Sequence, residues 1–215
     1  FLVKEQRNLM MALESDEKET IEKNIRQVLH NCTLTQDIDI DKLPILDVEY
    51  YFIQLRARSV GEVVENKYRC ENDVDGKPCG NLMEANLNLL EIELDNKDEL
   101  DGEIKINDQI TVKLKYPEFS LVEKIANINS EVDIVFEIVV DSIEYIFDGD
   151  QYYYANETPK EELLQFVESL NQDQFSKLEE FFNNLPTLNK KMEMKCPKCG
   201  FDHSFEMEGL ESFFG

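Results

Sequence analysis

Apolar residues along this chain keep two rhythms, a helical one of three and four residues and a strand-like one of two. Leu9, Met10, Met11 and Leu13, followed by Ile21, Ile25, Val28 and Leu29, recur at helical spacing. They predict two helices, about Lys4 to Leu13 and Asp16 to Asn31, with Ser15 as the N-cap of the second. A polar connector, Thr33 to Lys42, ends at Leu43-Pro44. Leu46, Tyr50, Ile53, Leu55 and Ala57 then predict a third helix, Ile45 to Ser59, which Gly61 ends. From Val63 to Arg69 the period falls to two and predicts a strand. Further strands are expected over Glu84 to Leu94 and Glu103 to Tyr116, with a turn around Asp95 to Gly102 between them and Pro117 stopping the second. A helix follows from Phe119 to Ile128.

The middle of the chain carries a third pattern, written in charge. Between Lys124 and Lys160 there is no basic residue. Asp133, Glu137, Asp141, Glu144 and Asp148 recur there at steps of four, four, three and four. That period places all five carboxylates on one stripe of a helix, although the β-branched residues between them favour a strand. The stripe reads as a solvated side or as a docking surface for a basic partner, which would relieve the repulsion of stacked like charges. A calcium stripe is the third reading, disfavoured for want of loop carbonyls.

After a turn at Asp148-Gly149-Asp150, Tyr152-Tyr153-Tyr154 reads as a short strand with one buried face, or as an aromatic interface anchor. Thr158, Pro159 and Glu161 predict a capping box that opens a helical pair, carried by Gln165, Phe166 and Leu170 and then Phe175, Leu178, Phe181, Phe182 and Leu185. Pro186 ends it. At the tail, Leu210, Phe213 and Phe214 either tuck onto the preceding strands or stay exposed for a partner.

Cysteine spacing adds the chemistry. Cys70 pairs with Cys79 around turn-forming Asp75-Gly76, and Cys196 with Cys199 in a C-x2-C knuckle. Each pair closes with a glycine, and Gly200 supplies the positive φ that a tight knuckle needs. Two knuckles flanked by alternating strands predict a zinc ribbon in which Cys70, Cys79, Cys196 and Cys199 fill a tetrahedral, structural zinc site. Disulfides and free thiols are the alternatives. The pairs lie 116 residues apart (196 − 79 − 1), so the segment between them is expected to rest on the ribbon as an insertion. His203 is expected not to be a ligand, since four thiols suffice. His30 ends the second helix, where positive charge suits the dipole. Cys32 reads as a small buried hydrophobe.

The fold class expected is therefore α+β, a helical domain combined with a small antiparallel zinc-ribbon-like β module closed by the four-cysteine site. Four segments are expected: an N-terminal helical region (1–61), the first ribbon hairpin with its following strands (62–116), an acidic helical insertion (117–188), and the second knuckle hairpin with the tail (189–215).

Composition then narrows the function. The 215 residues carry 46 acidic and 22 basic side chains, a formal charge of −24. Nucleic-acid binding draws on Lys and Arg against phosphates, so direct binding is not expected. No apolar run approaches the roughly 20 residues that span a bilayer. The odd cysteine count and the lack of an apolar leader point to a reducing compartment, the cytoplasm. No catalytic constellation stands out, and no enzyme activity is expected.

Three features together carry a family resemblance: Phe1-Leu2-Val3-Lys4-Glu5-Gln6, the two cysteine pairs about a long acidic insertion, and above all the segment Asp47-Val48-Glu49-Tyr50-Tyr51-Phe52-Ile53-Gln54-Leu55-Arg56-Ala57-Arg58-Ser59-Val60-Gly61-Glu62. They resemble the T4-type bacteriophage baseplate protein family of contractile-tailed phages, hub and hub-assembly proteins. The resemblance implies work in the structure or assembly of the baseplate hub, with hub or tail proteins as partners, in the virion tail or in the host cytoplasm during assembly. It also implies further residues upstream of Phe1. Arg56 and Arg58, two apart on the most family-like helix, face different sides, one expected to pair internally with an acid and the other to meet a partner. The competing reading is an acidic zinc-ribbon adaptor of transcription machinery; a metal-dependent enzyme would need an open coordination position.

Overall fold

The computed structural model describes residues 2–7, 18–95 and 100–214. Residues 3–7 are helical, and the rest of the predicted first helix, with the Ser15 cap, lies outside the described residues. The elements that follow are α1 (Lys18–Cys32), α2 (Ile45–Ser59), β1 (Val63–Arg69), β2 (Asp73–Val74), β3 (Lys77–Pro78), β4 (Leu82–Asn88), β5 (Glu93–Leu94), β6 (Glu103–Lys105) and β7 (Thr111–Leu114). Beyond them come α3 (Ser120–Ile125), α4 (Glu131–Asp141), β8 (Ile143–Phe147), β9 (Tyr152–Tyr154), α5 (Lys160–Glu168), α6 (Gln172–Asn183), β10 (Leu188–Lys195), β11 (Asp202–Glu208) and α7 (Gly209–Phe214). The class is α+β, helices with small antiparallel sheets.

An acidic lobe is built from the centre of the chain. Its sheet runs β6-β7-β8-β9, so hairpins from 62–116 and 117–188 join in one layer. Val112, Leu114, Ile143 and Ile146 of that sheet meet Val139 and Val140 of α4, Leu163 and Val167 of α5, and Leu178 and Phe181 of α6. Asn171 starts α6 with a capping box: its side chain accepts from Gln174 N and the Gln174 side chain returns to Asn171 N. The helical pair is as expected, but Thr158 does not cap α5. Its hydroxyl donates to the Tyr154 carbonyl (2.9 Å), and Pro159 holds the N-cap position without a side-chain bond.

The acidic stripe needs a larger correction. The helix stops at Asp141, and residues 143–147 form β8, so Asp133, Glu137 and Asp141 share a helix while Glu144 and Asp148 do not. Cross-strand pairing decides it. Ile146 pairs with Val112 and Tyr145 with Lys113, and the Ser142 carbonyl accepts from Lys115 N (2.8 Å). Strand propensity with a partner to pair against outweighs a charge period. The predicted strand Glu103 to Tyr116 is likewise a hairpin, because the Asn107 side chain accepts from Gln109 N and Ile110 N and folds the chain back between β6 and β7. Glu84 to Leu94 is broken by a 3-10 turn over Leu89–Glu91.

α2 has the predicted bounds and joins the remaining cores. Val48 and Phe52 pack with Ile25, Val28 and Leu29 of α1, while Ile53 and Ala57 pack with Leu87, Leu89, Leu188 and Phe213. Phe213 is fully buried and Leu210 packs against the same core, so these two residues of the tail tuck in. Two long hairpins, β1/β4 and β10/β11, project from this second core and carry the cysteines at their far ends.

Candidate metal centre

Each cysteine pair is shaped by its own backbone before the two meet. In the first, Asp75 (φ 55°) and Gly76 (φ 76°) form the two-residue turn of the β2/β3 hairpin, a conformation with positive φ at both central positions. That small hairpin brings Cys79 back to Cys70: Cys79 N donates to the Asn72 carbonyl (2.8 Å) and Gly80 N to the Cys70 carbonyl (3.0 Å). In the second, Gly200 N donates to the Cys196 carbonyl (2.8 Å), and Gly200 takes the expected positive φ of 74°.

The two knuckles then close on each other. Cys70 Sγ lies 3.6 Å from Cys199 Sγ, and Cys79 Sγ lies 3.9 Å from Cys196 Sγ. All four sulfurs fall within 4.8 Å of one another. A disulfide needs about 2.05 Å, so these are four free thiols. Tetrahedral thiolates at a Zn–S distance of ~2.3 Å stand about 3.8 Å apart, close to the 3.6 and 3.9 Å of these two pairs. The donor set and its size fit a zinc-sized soft ion.

Surrounding groups support the sulfurs. Asn72 Nδ2 approaches Cys199 Sγ at 3.7 Å, and Lys198 Nζ donates to the Cys79 carbonyl at 3.0 Å, tying one knuckle to the other. His203 lies against the centre: its Nε2 is 3.2 Å from Cys70 Sγ, and its ring is buried between Tyr68 and Phe201. It is thus a hydrogen-bonding neighbour of a thiol, which spacing in sequence did not reveal; pairing of Met194 with His203 across β10/β11 puts it there. Burial pushes the Cys70 thiol up to about 12. At Cys196 burial acts the same way, but the N–H groups of Cys199 and Lys198 outweigh it and bring the thiol down to about 6. Cys196 is thus the thiol whose thiolate form the surrounding N–H groups favour, and Cys70 the one whose thiolate form burial opposes.

The other predicted site residues lie elsewhere. Arg56 is half-buried and donates to the Gly61 carbonyl, and exposed Arg58 donates to the carbonyl and side chain of Gln54, so both close the end of α2. Glu137 pairs with Lys160, and Asp141 with Lys124. Asp133, Glu144 and Asp148 are exposed. His30 sits 3.9 Å from Asp41, and Cys32 packs at the edge of the α1–α2 core. All three tyrosines of β9 are exposed, which corrects the expected buried face. Among the described residues no helix is long and apolar enough to cross a membrane.

Comparison with known proteins gives two matches of different kinds. The profile of the T4 bacteriophage base plate protein family fits residues 1–215. The baseplate hub assembly protein gp26 of Enterobacteria phage T4 is 25% identical over 218 residues, covering 100% of this chain and 89% of that protein. No solved structure matches the chain.

Proposed function

The chain belongs to the T4 bacteriophage base plate protein family, and on that footing we propose that it serves in the assembly or structure of a phage baseplate hub, through protein–protein contacts, on a scaffold stapled by structural zinc. The observation that carries the scaffold reading is the tetrad of thiols, with sulfurs 3.6 and 3.9 Å apart across two knuckles. Cys70, Cys79, Cys196 and Cys199 would hold the ion. Four protein ligands leave no open position for water or substrate, so the chemistry supplied is cross-linking, not turnover. β1/β4 and β10/β11 are then the two halves of a zinc-ribbon-like module.

The partners are hub or tail proteins, met in the host cytoplasm during assembly and in the virion tail. Exposed Arg58, Asp133, Glu144 and Asp148 are the contact residues. Arg56, Glu137 and Asp141 work within the fold. Affinity purification of the tagged chain from infected cells tests the reading. Hub or tail proteins are the expected catch. Polymerase subunits in their place would overturn it in favour of a transcription adaptor.

A further inference from the structure

We propose that the open edge of β9, with the aromatic face beside it, is a docking site for an extended lysine- or arginine-bearing segment of a partner protein. This site lies in the acidic lobe and rests neither on the metal nor on the baseplate reading. β9 ends the sheet order β6-β7-β8-β9, and among the described residues no strand pairs with its other side. Residues of an antiparallel strand point their main-chain groups alternately toward and away from the neighbour. Ala155 N donates to the Glu144 carbonyl (3.0 Å) and the Gln151 carbonyl accepts from Asp148 N (3.3 Å), so odd-numbered residues bond inward. Tyr152 and Tyr154 therefore point outward. The Tyr154 carbonyl is taken by Glu157 N (3.0 Å) and the Thr158 hydroxyl (2.9 Å). Left at the edge are Tyr152 N–H, Tyr152 C=O and Tyr154 N–H, a donor, an acceptor and a donor in the register an added strand needs.

The side chains beside that edge are aromatic and solvent-facing. Tyr152 and Tyr154 are 52% and 45% exposed. They share a face with Tyr145 and Phe147, with ring centroids 5.1 Å apart for Tyr145–Tyr152 and 4.7 Å for Phe147–Tyr152. Alternate side chains of a guest strand would land on these rings. Charge selects which side chains. On that face Glu103 accepts from the Tyr145 hydroxyl (2.6 Å), exposed Asp150 and Glu157 lie in the turns at the two ends of β9, and residues 125–159 contain no Lys or Arg. Lys105 and Lys113 lie on the same face but on β6 and β7, away from the edge, and Lys113 is paired with Asp101 at 3.2 Å. A guest Lys or Arg finds a tyrosine face and a carboxylate together. A second copy of a chain of charge −24 is repelled, and so is a phosphate backbone.

Selection of a yeast-displayed library of random decapeptides against the full chain tests this. Selected peptides should carry Lys or Arg at alternate positions and lose affinity as salt rises. Tyr152→Pro removes only an outward N–H and one ring, a change an edge strand tolerates. It should weaken them about tenfold, as should Tyr154→Ala. Asp150→Lys alters an exposed side chain and should weaken them too, which keeps the test decisive if Tyr152→Pro lowers the melt. No enrichment, enrichment without basic residues, or affinities unchanged in all three variants would overturn the proposal. So would Tyr154-dependent binding of oligo(dT), which would make the face a base-stacking platform, or a Tyr152-dependent dimer in sedimentation.

Discussion

The two ends of this molecule are held together by different means. In the acidic lobe eleven buried apolar residues form one core between a sheet and three helices. Around the sulfur centre the buried apolar set among the described residues is Met83 and three cysteines, beside buried His203, with Tyr68, Met194 and Cys199 only partly covered. The bases of β1/β4 and β10/β11 join the core of Ile53, Leu87, Leu188 and Phe213, but a cluster as small as that around the sulfurs cannot offset the ordering of their knuckle ends by apolar burial alone. The lobe relies on area removed from water, whereas the knuckles would rely on the proposed ligation of their four thiols. The lesson is that charge is affordable in the first region because the core beneath it is complete, whereas the second has no core to spare.

Metal removal should separate the regions most sharply. A strong chelator, or Cys196→Ser with Cys199→Ser, is expected to release the knuckle ends of both hairpins, since structural zinc contributes on the order of 10 kcal/mol near neutral pH. Elemental analysis should find one zinc per chain beforehand, and hydrogen exchange should then lose protection in β1, β4, β10 and β11 but not in β7 or β8. Equal loss in both regions would erase the distinction. The converse break is Leu178→Ala, which empties a fully buried site of the lobe. It is expected to cost about 2–5 kcal/mol in a denaturant melt while leaving the zinc content unchanged.

Smaller changes sharpen the contrast. Asn171→Ala removes the α6 cap and should cost about 1 kcal/mol, seen as a lowered melting temperature of the lobe. The smallest effect expected is on pH. The N–H groups of Gln151 and Asp150 and the Tyr153 hydroxyl hold the Asp148 carboxyl below its usual range. A lowered folded-state value means the stabilisation is present above the ordinary carboxylate pKa near 3.9 and is lost as pH falls through the lower folded value. The protection of amides 148–154, relative to their intrinsic exchange rates, should therefore fall below about pH 4, and Asp148→Asn should flatten that step.

The sulfur centre was legible in the sequence because its chemistry is written in residue type and local spacing. The knuckle needs Cys196, Cys199 and a glycine at 200, and no distant residue can alter that requirement. α2 was equally readable from its apolar face and the glycine after it. The helix-to-strand change at Ser142 was not. Five carboxylates at helical steps span it, and only Thr111–Leu114, folded back beside it, shows why Ile143–Phe147 must be a strand. The local evidence was a turn sequence, Asp148-Gly149-Asp150, between two β-rich runs, which marks a hairpin. Nor does anything local place His203 at the centre, since its contact with Cys70 arises across 133 positions of sequence.

The separation of the two knuckles also sets an order of events. Cys70 and Cys79 are synthesised first, then the whole acidic lobe, and only afterwards Cys196 and Cys199. The lobe's core draws on residues 100 to 185, none of them from either knuckle, and domains generally fold as units as they are synthesised. Until the second pair arrives, the first is a two-thiol half-site, able to grip an ion only weakly. The two knuckles can therefore meet only late, after every residue of the lobe's core has been made.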